Sequence, residues 1–449
     1  MLLTLDAKRK AIWGWALYDW ANSAFATTVM AGFFPVFFKQ YWSSGTDVNL
    51  STAQLGLGNS LAGLLVAVLA PVLGAVADRG AAKKRFLLVF AYLGALATAG
   101  LYLVAQGDWA LAVFVYALGI TGFSGSLVFY DALLPGVAPP ERIDFVSSLG
   151  YALGYLGGGL LFLLNVVMTL KPQVFGLPDA ASAVRLSFVA VALWWGGFTL
   201  FIAAWVPEGT PVAYPDSGES ALAAGFRQLA GTIRKVRHLK TVFLFLLAYW
   251  FYIDGVDTII RMAVDYGLSL GFESSDLIIA LLITQFVGFP AALIFGKLGE
   301  TWGVRKSIYL AIGVYMGVTV WGVLMTNRLE FYVMAVVVGL VQGGIQALSR
   351  SYYSRLIPAG QPAEFFGFYN MLGKFATILG PALMGVVGLS VRRLLISETP
   401  TAEELVRIGQ IASRGSIASI LILFALGAVL LHFVDEEKGR EQAQRLSAD

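Results

Sequence analysis

Residues 11–42 read AIWGWALYDWANSAFATTVMAGFFPVFFKQYW, an apolar run broken only by Asp19 and, near its end, Lys39. A bilayer core of roughly 30 Å takes about 20 residues of helix. The run exceeds that and is too long for a secretion signal. Residues 1–10 before it are polar and basic and lead to no small-residue cleavage site, so it reads as a retained first helix. Eleven further runs of spanning length follow, near 52–77, 86–105, 109–133, 146–169 and 184–206, then near 239–263, 275–297, 307–326, 330–353, 365–389 and 411–434. Barrel strands would be shorter and alternating. The fold class is therefore an all-α membrane protein, with twelve transmembrane helices in two six-helix halves.

Composition agrees. Of 449 residues, 58% are hydrophobic and 13% charged, and the mean hydropathy is +0.74. A soluble domain carries about 25% charged residues, so the surface that would keep this chain in water is missing. A nucleic-acid partner is excluded on the same ground. The chain has no cysteine and two histidines, which leaves no thiolate chemistry and no multi-histidine metal centre; no cofactor is expected.

Twelve helices put both ends of the chain on one side, here called the terminal face; the other is the distal face. Of 31 Lys and Arg residues, 21 fall at the terminal face and 8 at the distal one, with Arg261 and Lys374 inside spans. Basic residues collect on the cytoplasmic side, so both termini are expected in the cytoplasm, in a multi-pass protein of the inner membrane. The expected division is an N-terminal bundle (1–206), a linker (207–238) and a C-terminal bundle (239–449). Within the linker, Leu222, Phe226, Leu229, Ile233 and Val236 interleave with Arg227, Arg234 and Arg237. That spacing suggests an amphipathic helix on the cytoplasmic leaflet; a solvated connector is the alternative.

The halves echo each other. Tyr130-Asp131-Ala132-Leu133-Leu134-Pro135 matches Tyr353-Ser354-Arg355-Leu356-Ile357-Pro358 at an offset of 223, and Glu141/Glu364, Gly150/Gly373 and Gly157/Gly380 keep that offset. Gly74 and Asp78 before the bases Lys83, Lys84 and Arg85 parallel Gly296 and Glu300 before Arg305 and Lys306. Glycine permits close packing, the acid can cap a neighbouring helix, and the bases meet an anionic leaflet.

Six plus six helices in parallel halves, with an acid–base signature after helices 2 and 8, resemble the major facilitator superfamily. That resemblance implies a gating role for Asp78, Arg79, Glu300 and Arg305, although Gly80 comes one place early and Thr301 stands where a base is usual. The string Tyr18-Asp19-Trp20-Ala21-Asn22-Ser23 resembles the opening of the "unknown major facilitator" family, related to the fungal autophagy-related vacuolar amino-acid effluxers. This second resemblance covers the whole chain. It implies a secondary transporter, with amino-acid export as the implied cargo movement.

A charge in hydrocarbon costs roughly 2.5 kcal/mol or more and needs a reason. Asp19 lies about a third of the way along helix 1, one turn from Asn22, flanked by Trp15, Tyr18 and Trp20. It either contacts cargo or a proton, or pins helix 1 to a neighbour. Helix 7 carries Asp254, Asp257 and Arg261, whose spacings allow an ion pair and a carboxylate pair able to hold a proton; the alternative is a wetted helix end. Asp131, near the end of helix 4, either latches onto Arg79 or Arg142 or is solvated. Lys374 in helix 11, one turn beyond Asn370, either meets a carboxylate of cargo or Asp19, or snorkels to the interface. Gln285, Gln342 and Gln346 are cavity candidates, or helix glue. Stripes of small residues mark helices 2, 5, 8 and 11 (Gly63/Ala67/Pro71, Gly150/Gly154/Gly158, Gly288/Ala292/Gly296 and Gly373/Thr377/Pro381). They suit an interface between halves that slides.

No phosphate-binding loop and no nucleophile or His-based motif is present, so the energy must come from a gradient. The expected function is secondary transport of a small solute by alternating access, with amino-acid efflux coupled to a proton or another ion as its finer form. A flippase for lipid-like amphiphiles is the rival, and a membrane receptor is a weaker one.

Overall fold

A computed structural model describes residues 5–45, 48–208, 239–269, 273–375, 379–396 and 401–448. The amphipathic stretch of the linker lies outside the described residues. The backbone is helical almost throughout, because in hydrocarbon an N–H or C=O group finds a partner only within its own helix.

Helix α1 begins as Leu5–Ala24 and continues through wide π-helical turns at Phe25–Phe33 and Phe38–Trp42, on either side of the short helix Phe34–Phe37. Pro35 sits in that short helix and has no N–H to give to the ladder. The remaining helices of this half are α2 (Val48–Arg79), α3 (Lys83–Gly100), α4 (Trp109–Val137), α5 (Ile143–Leu170) and α6 (Ala180–Trp205). The other half holds α7 (Lys240–Ser269), α8 (Ser274–Trp302), α9 (Val304–Leu324) and α10 (Arg328–Leu356). Helix α11 comes as two pieces, Pro362–Phe375 and Leu379–Leu395, and is followed by α12 (Ala402–His432) and a short terminal helix α13 (Glu436–Ala448). Among the described residues ten helices are long and apolar enough to cross a membrane; α2 contributes a shorter apolar stretch, Gly63–Asp78.

Helices α6, α10 and α12, which start at the distal face, carry caps, since their first N–H groups have no partner in the helix. Asp179 accepts from Ser182 N at 2.7 Å and Asn327 from Glu330 N at 3.0 Å, while Thr401 and Glu404 close a reciprocal box before α12. Large apolar side chains point outward, such as Leu103, Leu193 and Leu394, which is 84% exposed. On a soluble protein that would be a liability; here the lipid covers it.

The halves meet where α5 packs on α8 and α10, and where α2 and α4 pack on the first piece of α11. The small-residue stripes divide between two jobs. Gly288 and Gly343 receive the ring of Tyr155, and a Cβ at Gly296 would stand 2.7 Å from Ser148 Cβ, so these glycines serve the contact between halves. Gly150, Gly154 and Gly158 of α5 instead face α1 within their own half, against Asp19, Ser23 and Thr27. Gly380 of α11 likewise faces Asp254 and Thr258 of α7. Periodicity marks a close-packing face without saying which neighbour fills it.

Candidate functional site

Helix α1 turns Asp19 toward α5 because two glycines leave the space. A Cβ at Gly150 would stand 2.6 Å from the Tyr130 hydroxyl, and one at Gly154 would stand 2.6 Å from Ser23 Oγ and 3.1 Å from Asp19 Oδ1. The Asp19 carboxylate accepts from Ser23 Oγ and from the Tyr130 hydroxyl, both at 3.3 Å. Tyr130 is fixed in turn. Its ring stacks on Trp15 with centroids 4.3 Å apart, and the Trp15 indole donates to the Tyr130 carbonyl at 2.8 Å.

The next residue of α4, Asp131, reaches the other half. Its partner is Arg350 of α10, with Nη1 3.0 Å from Oδ1. Arg350 is only 2% exposed. It donates further to Ser147 Oγ at 3.0 Å and to the Ser147 carbonyl at 2.8 Å, both on α5. The rings of Trp15, Tyr130 and Tyr151 surround it at 4.9, 5.2 and 4.5 Å. Asn370 of α11 donates to the other oxygen of Asp131 at 3.0 Å. Taking a guanidinium out of water costs several kcal/mol, which only such a full set of partners offsets. The solvation alternative for Asp131 therefore gives way to burial: helix α4 runs on to Val137, which leaves Asp131 inside the bundle.

Nearer the terminal face two more bridges join the halves. Asp78 at the end of α2 accepts the N–H groups of Ala363 and Glu364, at 3.2 and 2.9 Å, and pairs with Lys83 at 3.0 Å. A carboxylate there complements the positive end of α11. Gly74 makes this approach possible, since any Cβ would run into the Ala363 carbonyl. Asp144 in the first turn of α5 pairs with Arg355 of α10. Deeper in, Gln285 of α8 donates to Thr27 Oγ1 of α1 at 2.6 Å.

The remaining residues singled out from the sequence fall into place as follows. Tyr18 and Asn22 are buried beside Ser126 and Trp195, inside the N-terminal bundle. Trp20 stacks on Trp194 of α6 at 5.2 Å. Asp254 accepts the N–H groups of Leu379 and Gly380, at 3.1 and 2.8 Å, and so caps the second piece of α11. Asp257 is half-buried and close enough to Tyr151, Tyr249 and Tyr315 to act on them electrostatically. Gln342 neighbours Tyr155, and Gln346 is half-buried one turn on. Glu300 pairs with Lys297 of its own helix at 3.2 Å, and Arg305 donates to the Val434 carbonyl at 3.2 Å. The side chains of Arg79, Arg261 and Lys374 lie outside the described residues.

Arg350, Arg355, Asp144, Ser147 and Tyr151 are the site residues that sequence reasoning passed over. By position in the sequence, Arg350 and Arg355 fall among the 21 bases of the terminal face. The spacing Tyr353-Ser354-Arg355 opposite Tyr130-Asp131-Ala132 held a signal, because it placed an acid in one half near bases in the other.

The profile of the family described as "Vacuole effluxer Atg22 like" matches residues 7–55, 51–143 and 139–389. The chain is 39% identical to the uncharacterized MFS-type transporter YxiO of Bacillus subtilis strain 168 over 433 residues, 96% of each chain. It is 24% identical to Autophagy-related protein 22 of Coccidioides immitis strain RS, covering 99% of this chain and 89% of that one. The fold is similar to that of the human organic anion transporter MFSD10, with a TM-score of 0.66 at 14% identity, covering 94% of this chain and 99% of that one.

Proposed function

Because the chain belongs to the family of Atg22-like vacuole effluxers among the major facilitator transporters, we propose that it moves a small solute by alternating access between its two bundles, 1–206 and 239–449. It is a multi-pass membrane transporter. The observation that carries the mechanism is where the halves hold together. Asp78 to α11, Asp144 to Arg355, and Asp131 to Arg350 and Asn370 all lie in the terminal half of the bundle. Deeper in the bundle the halves also meet through Thr27 and Gln285. These bridges close the terminal face, and the excess of basic residues there supports placing it on the cytoplasmic side.

Asp19, buried in the N-terminal half beside the Arg350 bridge, and Asp257 of α7 supply carboxylates for an ammonium group or a proton, and Gln285 and Gln342 supply amide donors and acceptors. That set suits an amino acid, with efflux driven by a proton gradient. The test is reconstitution in liposomes loaded with labelled amino acids, with efflux followed with and without an imposed pH gradient. Gradient-dependent efflux supports the amino-acid form. Silence across the amino acids, from folded protein, removes that cargo and turns the search to other metabolites and to lipid-like amphiphiles.

A further inference from the structure

Arg355 stands at the terminal-face end of α10 with a carboxylate on each side. Nη2 meets Asp144 of α5, in the other half, and Nη1 lies 3.5 Å from Glu436 Oε1 in the first turn of α13, in its own half. Asp144 is buried against Gly299 of α8, whereas Glu436 is partly exposed and also pairs with Arg440.

Helix α13 packs on α10 and α7 of the C-terminal bundle. Gly439 lets it lie against Leu356 and Thr241, Gln442 accepts the Thr241 N–H at 3.4 Å, and Ala443 is buried. Just before it, the Val434 carbonyl accepts from Arg305 at 3.2 Å. Asp435 at its start is held below the usual carboxylate range by the Lys438 N–H, so it stays ionised and keeps the first turn wound. When the halves part at this face, Asp144 leaves with α5. Arg355 and Glu436 stay together. A guanidinium has five N–H donors in a rigid fork and can donate to two carboxylates at once, so it can pass from one to the other without ever standing unpaired.

We propose that α13 belongs to the terminal-face gate, and that Glu436 is a positioning residue that takes over Arg355 when Asp144 departs. The proposal rests on the alternating-access reading. It assigns the short terminal helix a task that neither half performs alone: lowering the cost of opening. Glu436→Gln then leaves Arg355 with Asp144 as its one partner and biases the protein toward the closed face.

The chain has no cysteine, so spin labels can be placed at Glu141→Cys and Lys306→Cys, exposed positions at the terminal face on opposite halves. Pulsed electron–electron distance measurements on the full-length protein in nanodiscs then read the open and closed populations without any substrate. Glu436→Gln is expected to lower the open-to-closed ratio about fivefold, the size of one partly exposed ion pair, and Glu436→Asp to restore it. Arg440→Gln, which frees Glu436 for Arg355, shifts the ratio the other way. In an Asp144→Asn background the open fraction rises and Glu436→Gln loses most of its effect, because Arg355 no longer changes partners. An equal shift in both backgrounds, or a shift toward the open face with Glu436→Gln, overturns the proposal while leaving the transporter reading intact. A single distance population in the wild type and in Asp144→Asn overturns both.

Discussion

Arg350→Gln is the perturbation whose cost the structure states most fully. The wild-type guanidinium makes the ion pair to Asp131 at 3.0 Å and two hydrogen bonds to Ser147, at 3.0 and 2.8 Å. Removing it strands Asp131 in the interior with Asn370 as its remaining partner. Breaking a buried pair from one side costs about 3–5 kcal/mol, because a charge is left uncompensated. These contacts tie one half to the other, so the loss falls on the closed arrangement rather than on either bundle. At about 1.4 kcal/mol per decade, the open-to-closed ratio should rise by roughly two to three and a half decades. The distance measurement between the halves reads this directly. A sharper form of the test is the double variant Asp131→Asn/Arg350→Gln, in which no charge is stranded at this pair. It should disturb the equilibrium less than Arg350→Gln alone, with a coupling of about 2–3 kcal/mol. Strict additivity, or a single variant with unchanged distances, would refute the reasoning that this pair closes the face.

Three further outcomes follow from contacts in the structure. Gly154→Ala drives a methyl to within 2.6 Å of Ser23 Oγ beside Asp19, and should cost about 1–3 kcal/mol of stability as overpacking, seen as a lower melting temperature in detergent. Asp78→Asn weakens the hold on the α11 N-terminus and on Lys83; cross-linking of cysteines placed on α2 and α11 at the terminal face should slow by the equivalent of about 1–2 kcal/mol. Asp254→Ala leaves the N–H groups of Leu379 and Gly380 without their acceptor, at about 1–3 kcal/mol each, so amide exchange at the start of the second α11 piece should accelerate while that of α4 stays unchanged.

The spans and the two-half fold were legible because hydrocarbon demands long apolar helices and tolerates few departures. Close packing on helices 2, 5, 8 and 11 was legible from small residues at every fourth position. The partner of each glycine was not: Gly150 and Gly154 serve α1, since a stripe states closeness and not identity. Asp19 stood out as a charge amid apolar residues. Arg350 did not, because a base within two turns of a terminal-face loop reads as ordinary interfacial charge. Only the packed bundle shows that α10 carries it beneath the rings of Trp15, Tyr130 and Tyr151. Asp131 was singled out but not matched with Arg350, for that pairing runs between halves and no local spacing encodes it.

The most direct test of the central claim is the effect of Asp19→Asn on gradient-driven flux in proteoliposomes. Asparagine fills nearly the same space between Gly150, Gly154 and Tyr130 and keeps the packing, but it carries no charge and releases no proton. The expected result is folded, extractable protein whose gradient-driven flux is lost. Wild-type flux through Asp19→Asn would remove this carboxylate from the transport mechanism and contradict the account of the site.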